Sequence, residues 1–422
     1  MTSRERVLAA LHHTQPDRVP VDIGSGPTTG IAASAVHKLK VALGLCGQDD
    51  PVKVVEPFQM LGEVDAPLRE RLGLDVVGVA GRNTFFGFDS AAWKPWRLFD
   101  GTPVLVPEKF NTEPEPGTGD IVQYPGGDRT AAPSARMPRG GFYFDAIIRQ
   151  HHFDEDHLNV EDNLEEFTVL SAEALAFVRD EAARLRETTD CAVMILGACT
   201  AFGDIAHVPA TSLRDPRGIR DVAEWYMSLV IRRDYIREVF RRQTEIALKN
   251  LELLWSAVGD RADLIYMSGT DFGTQSGPFC SPDDYCDLFQ PFQKRLNDWV
   301  HEHTSWRTFM HCCGSIVPLI PHVIDAGFDI LNPVQTSAAG MDPRMLKETY
   351  GDRIVFWGGG VDTQRTLPFG SPDDVRREVA ARLRVFAPGG GFVFNTVHNI
   401  QADVPVENLR AMFDAVRAFN AR

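Results

Sequence analysis

The stretch RTFMHCCGSIVPLIPHVIDAGFDILNP, residues 307–333, contains two short apolar runs on either side of an amphipathic one. The outer runs, 307–312 and 328–333, carry β-branched and aromatic residues, which favours β-strands. Residues 315–326 between them have the apolar spacing of a helix. Consecutive strands joined by a helical crossover lie parallel in one sheet. The stretch therefore predicts an α/β fold built on parallel strands.

The same alternation extends in both directions along the chain. Further strands are predicted at 18–23, 74–79, 192–197, 263–268, 354–359 and 391–396. Helices are predicted at 171–187, 221–256 (as two helices), 282–303, 373–386 and 405–420. Eight strands with intervening helices predict a closed (β/α)8 TIM barrel. An open doubly wound sheet is the alternative, but no G-x-G-x-x-G motif follows the first predicted strand.

Residues 84–165 interrupt this rhythm with a segment rich in glycine and proline. Its short strand-like pieces predict an inserted, hairpin-rich subdomain between the second and third barrel strands, within a single barrel domain spanning 1–422. Long excursions from a barrel commonly carry function, so we expect this one to cover or line the site. A surface insertion without a role is the alternative.

Charge and cysteine content limit the partners and the compartment. The 43 basic and 58 acidic residues give a net charge of −15, which argues against nucleic acid or an anionic membrane as the main partner. No apolar run approaches the ~20 residues of a membrane span, and the charged N-terminus does not resemble a signal peptide. Seven cysteines, an odd number, favour a reduced, cytoplasmic compartment.

Candidate site residues follow from the rule that barrel enzymes act at the C-terminal ends of their strands. Polar residues stand at those ends in six of the predicted units: Asp22, Thr270, Asp271, His311, Cys313, Asn332, Gln335, Asp362, Gln364, His398 and Asn399. Asp22, Thr270, Gln335, Asp362 and Asn399 are the expected substrate-binding residues. Asp271 and His398 are the expected catalytic residues, with Asp271 as a base or an orienting group. Alternatively, Asp271 only caps its own glycine-rich loop.

His311 and Cys313 lie two residues apart at the end of one strand, so their side chains share a face while Cys312 points away. Imidazole and thiolate are zinc ligands, and His398 is the best-placed third ligand. The alternative is a buried cysteine beside an incidental histidine. A redox pair of Cys312 and Cys313 is disfavoured because neighbours on a strand point to opposite faces. For Cys199, core packing is favoured over a place in the site.

Five segments of the chain resemble the uroporphyrinogen decarboxylase superfamily, which includes the methylcobamide:coenzyme M methyltransferases and related corrinoid-linked enzymes. They are RERVLAALHHTQPDRVPVDIG (4–24), GTDFGTQSGPFCSPDDY (269–285), HCCGSIVPLIPHVIDAGFDILNPVQTSAAGMDP (311–343), FWGGGVDTQRTLPFGSPDDV (356–375) and NTVHNIQADVPVENLRAMFDAV (395–416). The resemblance implies a (β/α)8 barrel and a homodimer.

The two branches of that superfamily differ at the barrel mouth. Decarboxylases carry an arginine-rich stretch after the first strand and an aspartate after the second. Here those regions read DIGSGPTTG (22–30) and VVGVAGRN (76–83), without an arginine in the first and without an acid in the second. Methyltransferases carry a His-x-Cys zinc motif that matches His311 and Cys313. Their third ligand is a cysteine near the last strand, where His398 would stand in.

The resemblance implies a zinc-dependent methyltransferase as the leading function. It would move a methyl group from a corrinoid on a partner protein, or from a small methylated donor, to a zinc-activated acceptor. A decarboxylase acting on a polycarboxylate is the second possibility, with Arg82 and Arg365 as carboxylate clamps and His398 as the acid. A ligand-binding barrel without catalysis is the third.

Overall fold

The structure, a computed structural model, describes residues 1–421. Its helices are α1 (Ser3–Leu11), α2 (Ala33–Ala42), α3 (Ala66–Leu72), α4 (Ala172–Thr188), α5 (Val222–Ile231), α6 (Arg233–Val258), α7 (Pro282–Leu288), α8 (Gln290–His303), α9 (Ile320–Asp325), α10 (Pro343–Tyr350), α11 (Thr366–Phe369), α12 (Pro372–Phe386) and α13 (Val406–Asn420). Its strands are β1 (Val52–Glu56), β2 (Leu61–Gly62), β3 (Val76–Val79), β4 (Trp93–Arg97), β5 (Pro103–Pro107), β6 (Ile121–Gln123), β7 (Ala135–Met137), β8 (Asp145–Ala146), β9 (Ala192–Leu196), β10 (Leu264–Ser268), β11 (Arg307–His311), β12 (Ile330–Asn332), β13 (Val355–Trp357) and β14 (Phe392–Val393).

Seven strands form one parallel sheet in the order β3-β9-β10-β11-β12-β13-β14. The segment around Val21 joins its two edges. The Phe394 N–H donates to the Pro20 carbonyl at 2.9 Å on one side, and the Asp75 N–H donates to the Val21 carbonyl at 2.8 Å on the other. The sheet is thereby closed into a ring of eight segments, and the predicted TIM-barrel fold is confirmed.

The first predicted strand, 18–23, is the one barrel strand that the structure corrects. It is reduced to a single parallel bridge between Val21 and Phe394. Pro20 has no N–H to offer a neighbouring strand, and the Val21 N–H is taken by the Asp75 carboxylate at 2.9 Å. The segment therefore has the position of a barrel strand but too few ladder hydrogen bonds to be one.

The barrel interior is apolar and is closed at the N-terminal end by α1. Side chains from the strands pack inside the ring: Val76, Ala192, Met194, Leu264, Phe309, Ile330, Val355, Trp357 and Val393. Val7, Ala10 and Leu11 of α1 join this cluster, and the Ala10 carbonyl accepts the Gly391 N–H at 3.0 Å. The other end, where the strands finish, holds the candidate site.

Side-chain caps mark the starts of several helices. Thr2 and Glu5 form the capping box of α1, and Ser281 and Ser371 cap α7 and α12. Residues 221–256 form two helices as predicted. The predicted helix 282–303 is also two helices, α7 and α8, which meet at Phe289, and Pro291 stands in the first turn of α8, where its missing N–H is tolerated. The helices α2, α3, α10 and α11 lie outside the predicted ones.

Residues 84–165 contain the hairpins expected of them, but only some of their strands pair solely with one another. A three-stranded sheet has the order β6-β7-β8, whereas β4 and β5 extend a four-stranded sheet of order β2-β1-β5-β4. Two of those four strands precede residue 84. The hairpin of β4 and β5 gains a partner in β1, which pairs with it in parallel at Val52 and Val104. That the insertion covers the site stays a prediction.

Two further features concern the whole chain. Within residues 1–421, no helix combines the length and the apolar character needed to cross a membrane. All seven cysteines are free thiols in the structure.

Candidate functional site

His311 is the last residue of β11, and the chain then bends so that Cys313 lies beside it. The Cys313 Sγ is 3.3 Å from the His311 Nε2. Cys312 points into the core, where it is 1% exposed and its Sγ accepts the Phe272 N–H at 3.2 Å. The two neighbouring thiols therefore have different environments, in the orientations that strand alternation predicts.

His398 reaches the same place from the loop after β14. Its ring lies edge-on to the His311 ring, with 5.2 Å between the centroids. One ligand atom from each of His311, Cys313 and His398 lies within 4.8 Å of the other two. The closed barrel thus brings together three side chains that the sequence separates by up to 87 positions. We call them the His–Cys–His trio.

Asn332, at the end of β12, decides which nitrogen of His311 faces the trio. Its Oδ1 is 2.7 Å from His311 Nδ1, and its Nδ2 donates to the Trp357 carbonyl at 2.8 Å. The second bond fixes the amide so that Oδ1 accepts from an Nδ1–H. His311 is then held as the tautomer whose Nε2 lone pair points toward Cys313, which is the form a metal ion binds.

Burial controls the protonation of all three members of the trio. Desolvation lowers the pKa of His311 to about 4, and desolvation followed by the neighbouring His311 lowers the pKa of His398 to about 4. Both imidazoles are therefore neutral at pH 7. Burial, with the nearby Asp271 carboxylate, raises the pKa of the Cys313 thiol well above its usual range. A thiolate at Cys313 thus needs a cation beside it.

Asp271 follows β10 and contacts two members of the trio. Its Oδ1 accepts the Cys313 N–H at 2.5 Å and lies 3.7 Å from His311 Nε2. Burial raises the pKa of this carboxyl group above its ordinary value. Asp271 therefore holds the backbone that presents Cys313 and places a carboxylate of raised basicity at the site.

Two glycines allow the loop after β10 to lie directly against Cys313. A Cβ on Gly273 would come within 2.4 Å of the Cys313 carbonyl oxygen, and a Cβ on Gly314 would come within 2.4 Å of the Gly273 carbonyl carbon. Gly314 also has a φ of +90°. Side chains at these positions would push the two strand-end loops apart and open the wall of the site.

A cavity of about 330 Å³ opens beside Cys313 and His398. Four of the residues identified from the sequence line it, namely Cys313, Gln335, Gln364 and His398. The other lining residues are Gly273, Thr274, Gln275, Gly314, Thr363 and Val397. A volume of this size is at the lower end of the range for small-molecule sites. The trio therefore faces a space suited to a small ligand.

The structure places Asp22 and Thr270 behind the wall of the cavity. Asp22 is 0% exposed, and its carboxylate accepts from the Ser25 hydroxyl at 2.7 Å and from the Trp357 indole N–H at 2.9 Å. Thr270 is also buried, and its hydroxyl donates to the Phe202 carbonyl at 2.9 Å. Both side chains have their hydrogen bonds within the protein, so their expected contact with substrate stays a prediction.

Asp362 and Asn399 also make their hydrogen bonds within the protein, near the mouth of the barrel. Asp362 Oδ1 accepts the Gln364 N–H at 2.7 Å, which shapes the loop that carries Gln364 to the wall. The amide of Asn399 accepts the Gly30 N–H and donates to the Gln59 side chain at 2.7 Å. Their expected role in binding stays a prediction, and the contacts present are those of positioning residues.

Several polar residues near the site were not identified from the sequence. Thr274 and Gln275 lie between two glycines of the loop after β10. The glycine-rich pattern of that loop could have indicated them as site residues. Thr363 stands beside two residues that were identified. Gln59 carries no such signal, because it lies in the turn between β1 and β2 and not at a barrel strand end. Its contact with Asn399 exists only in the folded chain.

Cys199 lies apart from the trio, as favoured from the sequence. Its Sγ is 3.6 Å from the Thr168 carbonyl oxygen and 3.6 Å from the Asn250 side-chain nitrogen. Burial raises its pKa to about 11. It is a packed, protonated thiol on the helix side of the barrel wall.

The fold and the trio define a class: a (β/α)8 barrel with a candidate metal centre at the C-terminal ends of its strands. The sequence model of the family described as uroporphyrinogen decarboxylase (URO-D) matches residues 145–419, more than half of the chain. The protein belongs to the URO-D family.

Curated relatives match over shorter stretches. A protein named uroporphyrinogen decarboxylase from Pseudoalteromonas atlantica is 26% identical over 185 residues, which are 41% of this chain and 49% of that protein. Another of the same name, from Pseudoalteromonas translucida, is 36% identical over 153 residues, 35% of this chain and 40% of that protein. The chain spans half or less of the length of these relatives.

Among solved structures, a methyltransferase from Methanosarcina mazei is similar over nearly the whole molecule. The TM-score is 0.55 at 16% sequence identity, and 99% of each chain is covered. At this identity the similarity shows a shared fold. It extends to the residues before 145, which the family model does not match.

Proposed function

We propose that this URO-D family protein is a zinc-dependent methyltransferase. It would move a methyl group from a corrinoid, carried by a partner protein, or from a small methylated donor to an acceptor thiol. The observation that supports this proposal is the His–Cys–His trio, whose ligand atoms lie within 4.8 Å of one another at the mouth of the barrel.

The donor set fits a zinc ion. Zinc bonds of about 2.0–2.1 Å to nitrogen and about 2.3 Å to sulfur, in tetrahedral geometry, place neighbouring ligand atoms roughly 3.3–3.6 Å apart. The observed separation of His311 Nε2 and Cys313 Sγ is 3.3 Å. Two neutral imidazoles and one thiol leave the fourth position of a tetrahedron for a ligand from the cavity. Three protein ligands with one open position are the arrangement of catalytic zinc sites.

A zinc ion held there would act as a Lewis acid that lowers the pKa of an acceptor thiol. The residues of the chain supply the rest. Asn332 fixes the tautomer of His311, and Asp271 holds the Cys313 backbone through Oδ1. The Asp271 carboxyl group, whose pKa is raised by burial, would take the thiol proton. The amides and hydroxyls of the cavity wall would orient the acceptor.

Decarboxylation of a polycarboxylate is the second candidate, favoured by the place of His398 on the cavity wall and by the names of the matched relatives. Such a substrate needs cationic partners for its carboxylates. Within residues 1–421, the cavity wall has no arginine or lysine. The two expected clamps, Arg82 and Arg365, are exposed and are not part of that wall. These positions make decarboxylation the weaker proposal.

Elemental analysis of the purified protein tests the metal centre. We expect about one zinc per chain, and a loss of at least about tenfold in zinc affinity for Cys313→Ser and for His398→Ala. Cys46→Ser, which changes a thiol outside the trio, is the matched control and should keep its zinc. A protein that is fully active without metal would overturn the proposal.

Activity assays separate the two candidates. Methylcobalamin and 2-mercaptoethanol are the donor and acceptor probes for methyl transfer, and the methyl thioether is the expected product. Incubation with uroporphyrinogen, followed by chromatography of the porphyrins, reports decarboxylation. Release of carboxyl groups in the second assay, with none of the thioether in the first, would favour the lyase. The expected homodimer and corrinoid partner also stay proposals, which chromatography by size addresses.

A further inference from the structure

The wall of the cavity beside the trio has an unusual composition for a site expected to hold a polar ligand. Apart from Cys313 and His398, its polar side chains are two threonines and three glutamines: Thr274, Gln275, Gln335, Thr363 and Gln364. All five are uncharged at every pH. Within residues 1–421, no lysine, arginine, aspartate or glutamate side chain lines this space.

Two of the glutamines hold each other in fixed orientations. Gln335 is 4% exposed, and its Oε1 accepts the Gly314 N–H at 2.8 Å. Its Nε2 therefore faces Gln275, donating to the Gln275 Oε1 at 3.2 Å. This contact consumes the acceptor of Gln275 and leaves the Gln275 Nε2 hydrogens to face outward. The wall thus presents a preset amide donor to a ligand.

Gln364 and Thr363 supply further neutral groups from the loop after β13. Their side chains make no hydrogen bond within residues 1–421, and Gln364 is exposed to the cavity. An amide and a hydroxyl each both donate and accept, so this loop suits carbonyl, amide and hydroxyl groups alike. Thr274 contributes little, because its hydroxyl already donates to the Gly277 carbonyl at 2.7 Å.

The charges just behind the wall are negative. Asp271 lies under Cys313, and Asp362 lies under the loop that carries Gln364. The Asp362 carboxylate accepts the backbone N–H of Arg365 at 3.2 Å, while the guanidinium of Arg365 belongs to an exposed side chain outside the wall. In the metal-free protein, an anionic group placed in the cavity would therefore meet two carboxylates and no cationic side chain, which is unfavourable.

We propose that this cavity binds a small uncharged molecule through amide and hydroxyl hydrogen bonds and discriminates against carboxylates, sulfonates and phosphates. The volume of about 330 Å³ corresponds to roughly eleven water molecules at about 30 Å³ each, so the ligand is small. That the ligand is the methyl acceptor rests on the proposed function, and the acceptor would then be a neutral thiol. The charge preference itself does not depend on that function.

Cys313 is a built-in reporter of what the cavity admits. After removal of metal with a chelator, the protein is treated separately with iodoacetamide and with iodoacetate, which differ in charge and little in size. Peptide mass spectrometry gives the rate of alkylation at Cys313 with each reagent. The ratio of the two rates is compared with the same ratio for free 2-mercaptoethanol, which removes the intrinsic difference in reactivity.

We expect the ratio of neutral to anionic alkylation to be at least about tenfold higher at Cys313 than for the free thiol. Gln364→Arg, which adds a cation to the wall, should reduce that excess by about fivefold. Gln364→Met, of similar length and without charge, is the matched control and should leave the excess unchanged.

An equal or lower ratio at Cys313 overturns the inference, as does a cavity that admits neither reagent. The metal analysis is a separate readout. Absence of zinc together with the expected ratio would defeat the proposed methyltransferase function alone. Stoichiometric zinc together with a ratio like that of the free thiol would defeat the charge preference alone.

Discussion

The two ends of the barrel use buried carboxylates in opposite ways. At the N-terminal end, Asp75, Asp263 and Asp329 each precede a strand, and each has a cationic or imidazole partner. At the C-terminal end, Asp22 lies in the first barrel segment and Asp271 follows β10, and neither has a lysine or arginine partner within residues 1–421. The residue type is the same, and all but Asp271, whose side chain is 37% exposed, are largely buried. The partners differ, and with them the contribution to stability.

The three carboxylates of the N-terminal end make the same set of hydrogen bonds, each at a different place in the ring. The oxygens of Asp75, Asp263 and Asp329 accept the backbone N–H of Val21, Val193 and Thr308, respectively, each on the preceding barrel segment, at 2.8–2.9 Å. The backbone carbonyls of the same three residues accept N–H groups from the segment that follows. Each aspartate therefore links three consecutive members of the ring, and its arginine or histidine partner offsets the cost of burying the charge.

The carboxylates of the mouth have only neutral donors. Burial raises the pKa of Asp22 to about 6, although Ser25 and Trp357 donate hydrogen bonds to it. Burial raises the pKa of Asp271 as well. Such groups add little to stability at neutral pH, and of the two only Asp271 lies beside the trio, where its raised basicity bears on the proposed chemistry. The comparison shows that pairing with a cationic side chain distinguishes the carboxylates of the N-terminal end from those of the mouth.

The largest effect is expected from removal of a paired carboxylate. Asp75→Ala would leave buried Arg6 with Asp17 as its one remaining carboxylate, take the carboxylate partner from Arg18, and leave the Val21 N–H without an acceptor. We expect a loss of roughly 3–5 kcal/mol in the free energy of unfolding, measured by urea denaturation. Asp298→Ala, which removes an exposed ion pair with Lys294, is the control and should change little. A loss near that of the control would break the comparison.

The second effect is a difference in the sign of the pH dependence. The folded-state pKa of Asp22, about 6, lies above the unfolded value of about 3.9, so its stabilising contribution is present at low pH and is lost as pH rises through 6. The free energy of unfolding of wild type, relative to that of Asp22→Asn, should therefore fall by up to about 3 kcal/mol between pH 4 and pH 7.5. Urea denaturation at the two pH values measures this difference.

Asp329 gives the matched test at the other end. Burial by itself would raise its pKa, but the hydrogen bond with His301 and other partners bring the pKa below its ordinary value. Its contribution is therefore present above the unfolded pKa and is lost on acidification. The advantage of wild type over Asp329→Asn should grow as pH rises from 3 to 5. The same sign for both variants would contradict the comparison.

The third effect concerns the zinc affinity proposed for the mouth. Asn332→Ala removes the acceptor that fixes His311, and we expect zinc to bind about 10–100-fold more weakly, measured by competition with a chromogenic chelator. Asn297→Ala, at an equally buried asparagine whose Nδ2 donates to the Ala326 carbonyl, is the control. It should cost stability while leaving zinc affinity unchanged. Equal weakening in both variants would indicate a general loss of packing.

The smallest effect is expected at a helix start on the mouth side. Ser371→Ala removes the cap of α12, and we expect a loss of about 1 kcal/mol in the free energy of unfolding without a change in zinc content. Ser371→Asp keeps an acceptor at the cap and is the conservative control. A change in zinc content in the alanine variant would show that the stability of the helices and the geometry of the trio are coupled.

Local pattern predicted much of the fold and part of the site. Seven of the eight predicted strands are barrel strands, because continuous apolar runs of that length fit parallel strands buried on both faces. The opposed orientations of Cys312 and Cys313 followed from alternation along β11. The segment 18–23 failed as a strand because Pro20 and Asp75 redirect its hydrogen bonds.

Local sequence pattern could not predict the contacts between segments that are far apart in the chain. The strand-end rule selected Asp22 and Asn399 as site residues. It could not predict that their polar atoms hydrogen-bond to Trp357 and to Gln59 inside the protein. The three aspartates of the N-terminal end were present in the predicted strand segments without a signal of their role. Their partners come from elements far away in the chain, such as Arg6 and Arg186.

The sequence by itself determined the order of strands and helices, the helix caps, the acidic surface charge and the shared face of His311 and Cys313. These properties depend on residues within a few positions of one another. Only the tertiary structure decided that His398 completes the trio, that the cavity wall is neutral, and which carboxylates are paired. Closure of the barrel sets these features, because it fixes the distances between the strand ends. It also fixes how far each charged group is exposed to solvent.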